Sequence, residues 1–185
     1  MFLSIEFSTG TTRCERGHDV IYDITSERAY LGRGSSDGPA LRWRLSHQEP
    51  SAALLCQRVH LKSDSNWIVR CDRVDFPPSS VAYRHTHPGP GIRCTLFGGL
   101  TIEAHDGNTQ RYGQYQPWFE AGPEPVLATA DADTPSAFVR VMLLPEKWLG
   151  QRTIHYVDPA DADRPKRQRP TVFFDEPLQA VDSSL

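Results

Sequence analysis

The sequence lacks any apolar stretch near the roughly 18 residues that a membrane-spanning helix needs. It also lacks a convincing segment of helical periodicity longer than about ten residues. The first residues, Met1–Glu6, show no basic region followed by an apolar run, as a secretory signal would. These absences disfavour a membrane protein and a helical bundle, and we expect a cytoplasmic protein with no membrane partner.

An excess of positive charge is also missing, because the formal net charge is −3 and the isoelectric point is about 6.1. Without a basic field we expect no nucleic-acid partner. The four cysteines (Cys14, Cys56, Cys71 and Cys94) contain no Cys-x-x-Cys pair, so free thiols are a better interpretation than a zinc site.

Short strands separated by turns are the dominant pattern from residue 53 onwards. We predict strands at 66–76, 81–87, 92–97, 100–105, 116–120, 126–130 and 137–144. The spacing is typical of an all-β sandwich or barrel, which we place in residues 53–150. A chain of 185 residues is long enough for one domain with a genuine core.

The flanking segments have weaker patterns. Residues 1–52 are predicted to be a partly irregular N-terminal extension, because Val20–Ile24 is the main strand candidate and Gly32–Pro39 is rich in turn residues. Residues 151–185 form a charged, proline-punctuated C-terminal arm. Its short apolar run, Thr171–Phe174, could pair with a sheet edge, cross the barrel or a partner subunit, or remain in a solvated tail.

The most informative motif is His85-Thr86-His87, which lies in the predicted strand that ends before Pro88. Alternate side chains of a strand point to the same face, so the two imidazoles project together. Imidazole is a natural ligand of divalent transition metals. The pair therefore predicts a metal site, which still needs a third protein ligand.

The surroundings of this pair resemble the first sequence motif of the cupin superfamily. That motif runs from a glycine through His-x-His and a glutamate to a second glycine. Both histidines and the closing Gly98 match in register, whereas Ser79 replaces the opening glycine and Gly91 replaces the glutamate. The first motif is thus retained without its acidic ligand.

The second cupin motif is matched less completely. Gly113 and Gly122 fit with one extra residue between them, but Pro125 stands where the motif has its histidine. The resemblance covers about residues 65–145 and implies a double-stranded β-helix, the cupin jelly-roll barrel. It identifies the chain as a single-domain cupin with a degenerate metal motif.

The resemblance also suggests which residues surround the metal. Glu120, within the second motif, is the candidate third ligand, which would give two histidines and one carboxylate around Fe, Zn, Mn or Ni. In that frame Arg93 faces the interior and is expected to bind an anionic substrate group, or to pair with Glu120 or Glu103. Trp118, close to Glu120, is a candidate substrate contact.

Counting by twos from the histidines places Tyr83 on the same inward face. Tyr83 and Glu120 are therefore the candidate catalytic residues.

The expected function is that of a metal-dependent cupin enzyme acting on a small, anionic organic substrate by Lewis-acid or O2-activating chemistry. The resemblance allows oxygenase (oxidoreductase), lyase, isomerase or cyclase activity. The alternative is a non-catalytic cupin that binds or senses a small molecule after losing a full metal site. The resemblance further suggests a homodimer.

Overall fold

In the computed structural model, which describes residues 1–62 and 64–179, seven strands precede the barrel. They are β1 (Phe2–Ser8), β2 (Thr12–Arg13), β3 (Val20–Asp23), β4 (Arg28–Leu31), β5 (Ser35–Ser36), β6 (Ala40–Ser46) and β7 (Leu55–Arg58). Five of them form an antiparallel sheet in the order β4-β3-β6-β1-β7, here called the N-terminal sheet, and β2 pairs with β5. This region is thus more regular than the sequence indicated.

Eight further strands form the barrel. They are β8 (Trp67–Phe76), β9 (Val81–Thr86), β10 (Gly91–Phe97), β11 (Leu100–Glu103), β12 (Thr109–Tyr112), β13 (Pro117–Glu120), β14 (Val126–Ala130) and β15 (Ser136–Pro145). One sheet has the order β13-β10-β15-β8 and the other has the order β12-β11-β14-β9. This interleaving of eight antiparallel strands in two sheets is a jelly roll, which confirms the predicted fold class.

Seven of the barrel strands overlap the segments predicted from the sequence, and β12 is the one that was missed. Three of its four residues are exposed, so it has no apolar alternation that would reveal it. At the other extreme, nine of the ten residues of β15 are buried. One face of β15 points into the barrel, and the other face lies beneath the N-terminal sheet.

The N-terminal sheet packs on the outer face of the barrel sheet that contains β8, β10 and β15. Leu3, Tyr22 and Trp43 share one hydrophobic core with Cys94 and Val141 of the barrel. The indole Nε1–H of Trp43 donates to the carbonyl oxygen of Ile92 at 3.2 Å, so the contact includes a buried hydrogen bond.

Two strands follow the barrel and extend its sheets. β16 (His155–Tyr156) pairs with β9, and β17 (Arg169–Pro177) pairs with β8. The apolar run Thr171–Phe174 therefore joins a sheet edge of its own chain. Residues 180–185 of the predicted arm lie outside the described residues, and exchange of this strand within a homodimer stays a prediction. No helix within the described part of the chain is long and apolar enough to cross a membrane.

Candidate metal and substrate site

The barrel encloses a cavity of about 560 Å³ whose wall changes from polar to apolar along the barrel. The polar end is formed by Arg70, Asp72, His85, His87, Arg93, Glu120 and Arg140. The apolar end is formed by Val74, Phe76, Ala82, Ile102, Trp118, Ala128 and Phe138. The volume lies in the range of small-molecule sites. Five of the six predicted site residues are therefore brought together here.

The two histidines of the motif meet at the polar end. His85 lies in β9 and His87 follows that strand, and both are buried. The Nδ1–H of His85 donates to the carbonyl oxygen of Tyr83 at 2.7 Å, and the Nδ1–H of His87 donates to the carbonyl oxygen of Thr153 at 2.9 Å. Because a carbonyl oxygen can only accept, these bonds place the ring proton on each Nδ1.

That tautomer leaves both Nε2 atoms as lone-pair donors, and they face each other at 3.2 Å. Burial lowers the pKa of His85 and lowers that of His87 well below its ordinary value, so both rings are neutral at physiological pH. Two unprotonated nitrogens have no proton to share at this separation. Their geometry suits a common cation, since two nitrogens about 2.1 Å from one metal lie roughly 3.0–3.4 Å apart.

Glu120 is the carboxylate in contact with this pair. Its Oε2 lies 3.6 Å from His87 Nε2 and 2.7 Å from Arg93 Nη2, and its Oε1 accepts the indole N–H of Trp118 at 2.8 Å. A carboxylate oxygen has two lone pairs, so Oε2 can contact Arg93 and still face the histidines. Of the two carboxylates considered for Arg93, Glu120 is the partner, whereas Glu103 pairs with Arg84.

The glycine that replaces the motif glutamate has a structural explanation. Gly91 pairs directly with Glu120 across β10 and β13, so the carboxylate comes from the neighbouring strand. A Cβ at position 91 would lie 2.6 Å from the carbonyl oxygen of Val141 and 3.0 Å from Arg93 Nη1. Arg93 and the backbone therefore fill the space that a side chain at position 91 would need.

A second buried ion pair, which the sequence analysis missed, stands beside the histidines. Arg140 donates through Nε and Nη2 to the two oxygens of Asp72, at 2.6 and 3.1 Å. Its Nη1 lies 3.4 Å from His87 Nε2. Alternation from Val74 along β8 could have placed Asp72 inward, but charged residues in a strand ordinarily indicate a solvent face.

The described residues contain no cluster of three or more His, Cys, Asp or Glu side chains arranged to hold a metal ion. The neutral, oriented imidazole pair nevertheless fits a divalent cation, because two ligands are in place. Glu120 supplies the carboxylate on the same side of the cavity. The chemistry of this donor set is therefore compatible with the expected metal.

Tyr83 is the predicted site residue that is misplaced. A β-bulge shifts the pairing of β9 with β14 between the His85–Val126 and Ala82–Ala128 pairs. As a result Ala82 faces the cavity, and the ring of Tyr83 lies 4.9 Å from the guanidinium of Arg164, outside the cavity lining. The inward placement expected for Tyr83 is wrong, because the bulge interrupts the alternation by twos.

The segment after the barrel completes the cavity wall. Residues Gly150–Ile154, together with Gln168 and Pro170, line the cavity. Arg70 holds this segment by donating to the carbonyl oxygen of Gln151 at 2.7 Å and by pairing with Asp175. The carbonyl of Thr153, which orients His87, belongs to the same segment. No sequence pattern indicated this contact, which spans 66 residues.

The cysteines take no part in the cavity lining. Cys71 and Cys94 are buried in the core beneath the N-terminal sheet, and burial raises the pKa of Cys94 to about 12. The pKa of Cys14 is raised to about 11 for the same reason. All four thiols are free, and thiolate nucleophiles are not expected from these environments.

Together, the jelly-roll topology and the inward His-x-His pair define a barrel with the cupin fold. No family model matches the chain, and no curated protein matches it. Among solved structures, the chain is similar to the polyketide cyclase RemF from Streptomyces resistomycificus. The identity is 16% and the TM-score 0.40, over 51% of this chain and 62% of RemF.

Two further similar structures are an oxalate oxidase in complex with glycolate and a cupin domain from Bordetella pertussis. For the oxidase the identity is 16% and the TM-score 0.41, over 48% of this chain and 46% of that chain. For the cupin domain the identity is 18% and the TM-score 0.37, over 46% of this chain and 88% of that chain. The likeness concerns the fold alone.

Proposed function

We propose that this protein is a cupin enzyme that binds one divalent metal through His85, His87 and Glu120 and acts on a small organic acid in the barrel cavity. The observation that supports this most directly is the 3.2 Å approach of the two Nε2 atoms, each left unprotonated by the carbonyl contact of its Nδ1. A hydrogen bond from the other ring nitrogen to a backbone carbonyl commonly fixes the tautomer of metal-binding histidines.

The role proposed for Glu120 follows from its position opposite Gly91, from its hydrogen bond with Trp118 and from its ion pair with Arg93. Trp118 and Arg93 hold the carboxylate in place, which keeps one lone pair of Oε2 directed toward the histidines. Two imidazoles and one carboxylate leave coordination positions open for substrate.

A bound metal would supply Lewis-acid polarisation or, if it is redox-active iron, activation of oxygen. The surrounding residues bind and orient the substrate, and the apolar end excludes water from it. A fold of this kind supports several reaction classes. Oxygenase, lyase, isomerase and cyclase activity therefore all remain within the proposal.

Elemental analysis of tag-free protein tests the proposal. We expect about one divalent metal per chain, lost in the variant His85→Ala/His87→Ala, because two of the three ligands are removed. Glu120→Gln keeps the shape of the side chain but removes its charge, and we expect metal affinity to fall by about tenfold or more. Calorimetric titration of chelator-treated protein with Zn²⁺ or Mn²⁺ measures that change.

Matched controls come from exposed residues outside the cavity. The double variant His60→Ala/His105→Ala removes two exposed histidines, and Glu103→Gln removes a carboxylate paired on the surface. Both controls should retain the metal. Metal-free protein that also fails to take up added metal, or metal retained by the His85→Ala/His87→Ala variant, would contradict the proposal.

A second candidate is a non-catalytic barrel that binds a small molecule without metal. It is favoured by the contact of Arg140 Nη1 with His87 Nε2 at 3.4 Å, since a guanidinium N–H can satisfy that lone pair. This candidate predicts ligand binding unaffected by chelators. It becomes the better explanation if neither purified nor reconstituted protein holds metal.

A further inference from the structure

We propose that the substrate is an organic monocarboxylate with an apolar, ring-sized body, whose carboxylate binds beside Arg140 and whose body lies against Phe138 and Trp118. The inference rests on the proposed function in taking the barrel cavity as the substrate site. It adds the chemical class of the molecule and the residue that recognises its charge.

The apolar end of the cavity is built of aromatic rings in fixed contact. The rings of Phe138 and Trp118 meet edge to face at 5.4 Å, and those of Phe76 and Phe138 lie 5.8 Å apart. The indole N–H of Trp118 is already bonded to Glu120, so the remaining indole surface is apolar. Ring walls of this kind favour an apolar and preferably cyclic body.

A polar substrate body would be unfavourable at this end. The lining side chains here, from Val74 on β8 to Ala128 on β14, carry no hydrogen-bonding group except the indole of Trp118. A hydroxyl or amide placed among them would lose its bonds to water without replacement, which costs free energy. Sugars and other polyhydroxylated molecules therefore fit this half of the cavity poorly.

Arg140 is the residue proposed to bind the substrate carboxylate, because Arg93, the other buried arginine beside the histidines, is already engaged with protein groups. Arg93 is 1% exposed, and its terminal nitrogens contact the carbonyl of Gly91 and the carboxylate of Glu120. Arg140 uses Nε and Nη2 for Asp72, which leaves Nη1 with the 3.4 Å contact to His87. Its Nη1 can donate to a substrate carboxylate without breaking the pair with Asp72.

A second cation lies near the same anion site. Arg70 lines the cavity, and its Nε is buried without a hydrogen-bond partner among the described residues. Residues 70 and 140 lie on diagonal positions of neighbouring strands, since Arg140 pairs with Asp72. This Nε has almost no accessible surface, so Arg70 contributes through its positive charge rather than through a direct hydrogen bond to the substrate.

Arg140 also stands where the polar and apolar ends meet. Its guanidinium carbon lies 5.7 Å from the centroid of the Phe138 ring, while Nη1 approaches His87. A carboxylate at Nη1 therefore places the adjoining carbon beside the histidines and the rest of the molecule along Phe138. The two other cations of the lining are engaged elsewhere. Arg152 donates to the hydroxyl of Tyr156 at 3.4 Å, and Lys166 is bonded to the carbonyl of Ala162 and lies over the ring of Tyr156.

Binding of three probes to the protein tests this assignment. The probes are 2-naphthoate, its neutral analogue 2-naphthamide, and acetate, which has the charge without the body. Calorimetry should show 2-naphthoate binding about tenfold or more tightly than either, because it alone makes both the charge-assisted hydrogen bond and the apolar contact.

Substitution of Arg140 identifies the residue responsible. In Arg140→Gln, the advantage of 2-naphthoate over 2-naphthamide should fall to within about threefold, while 2-naphthamide binding is kept. This change leaves the buried Asp72 carboxylate without its partner. The double variant Asp72→Asn/Arg140→Gln therefore provides a version without a lone buried charge. The control Arg111→Gln, at an exposed pair with Asp131, should retain the preference.

The binding measurements are repeated with chelator-treated protein, so that recognition of the carboxylate by Arg140 can be distinguished from its binding to a metal. A preference for the acid that persists in chelated protein and disappears with Arg140 supports the assignment, even if the metal analysis fails. A preference confined to metal-loaded protein would assign the carboxylate to the metal and overturn it. Equal binding of 2-naphthoate and acetate, or of 2-naphthoate and 2-naphthamide, would also overturn it.

Discussion

At the scale of single residues, the polar end of the cavity keeps its charges in complementary pairs. Asp72 is 2% exposed and Arg140 is 8% exposed, and two hydrogen bonds join them. Glu120 and Arg93 form the second pair. Burying a charge without a partner is expensive, so neither member of a pair can be removed alone without loss of stability.

The Asp72–Arg140 pair leads to a prediction for a double-mutant cycle. Asp72→Asn or Arg140→Gln alone should lower the free energy of unfolding by about 3–5 kcal/mol, because each leaves a buried charge unpaired. The double variant should lose less than the sum of the two. Urea denaturation of the three variants measures the coupling.

The exposed pair Arg111–Asp131 provides the comparison for this cycle. Arg111 is exposed, so Arg111→Gln should leave the urea midpoint almost unchanged. Strictly additive losses at Asp72 and Arg140 would mean that the two side chains do not depend on each other energetically.

At the scale of elements, seven of the eight barrel strands and the histidine pair could be predicted because alternation and turn residues are local signals. The bulge in β9 could not be predicted, because it depends on how β9 pairs with β14. This bulge is the reason that Tyr83 lies outside the cavity. Asp72 and Arg140 were not predicted as cavity residues. A charged side chain in a strand ordinarily indicates a solvent-facing position, and the partner that allows its burial lies on another strand.

The C-terminal segment, residues 150–177, is the element that joins the site to the outer edge of the barrel. Asp175 in β17 pairs with Arg70 and accepts the backbone N–H of Gly150 at 2.7 Å. Three residues further, Thr153 accepts from His87. The packing of this segment therefore contributes to the orientation of a proposed metal ligand.

Asp175→Asn should loosen this segment, because it removes the charge that holds both Arg70 and the Gly150 amide. We expect hydrogen exchange to accelerate by about tenfold in residues 150–156 and 169–177, and to remain unchanged in β1 and β6. Exchange read by mass spectrometry tests this. Asp131→Asn, which removes the partner of the exposed Arg111 outside this segment, is the matched change. Faster exchange throughout the chain would instead indicate global destabilisation.

At the scale of the whole molecule, the N-terminal sheet and the barrel share a core. The sequence contained a signal for this, because Leu41, Trp43 and Leu45 alternate with Arg42 and Arg44. That alternation was not recognised as a strand of an ordered sheet. The inner face of the N-terminal sheet covers barrel residues that would otherwise be exposed. The N-terminal sheet and the barrel are therefore expected to depend on each other for stability.

Trp43→Ala tests that dependence. Trp43 is 1% exposed, belongs to the shared core and donates to the carbonyl of Ile92, so the substitution should lower the free energy of unfolding by about 3–5 kcal/mol. We expect the strands β1–β6 and β8–β15 to unfold in a single transition, as amide exchange measured along a urea series would show. Trp148→Ala, on a short helical turn with no fully buried residue, should have a smaller effect. If β1–β6 unfold at lower urea while β8–β15 stay protected, the shared core does not couple the two parts, and the N-terminal region behaves as an independent extension.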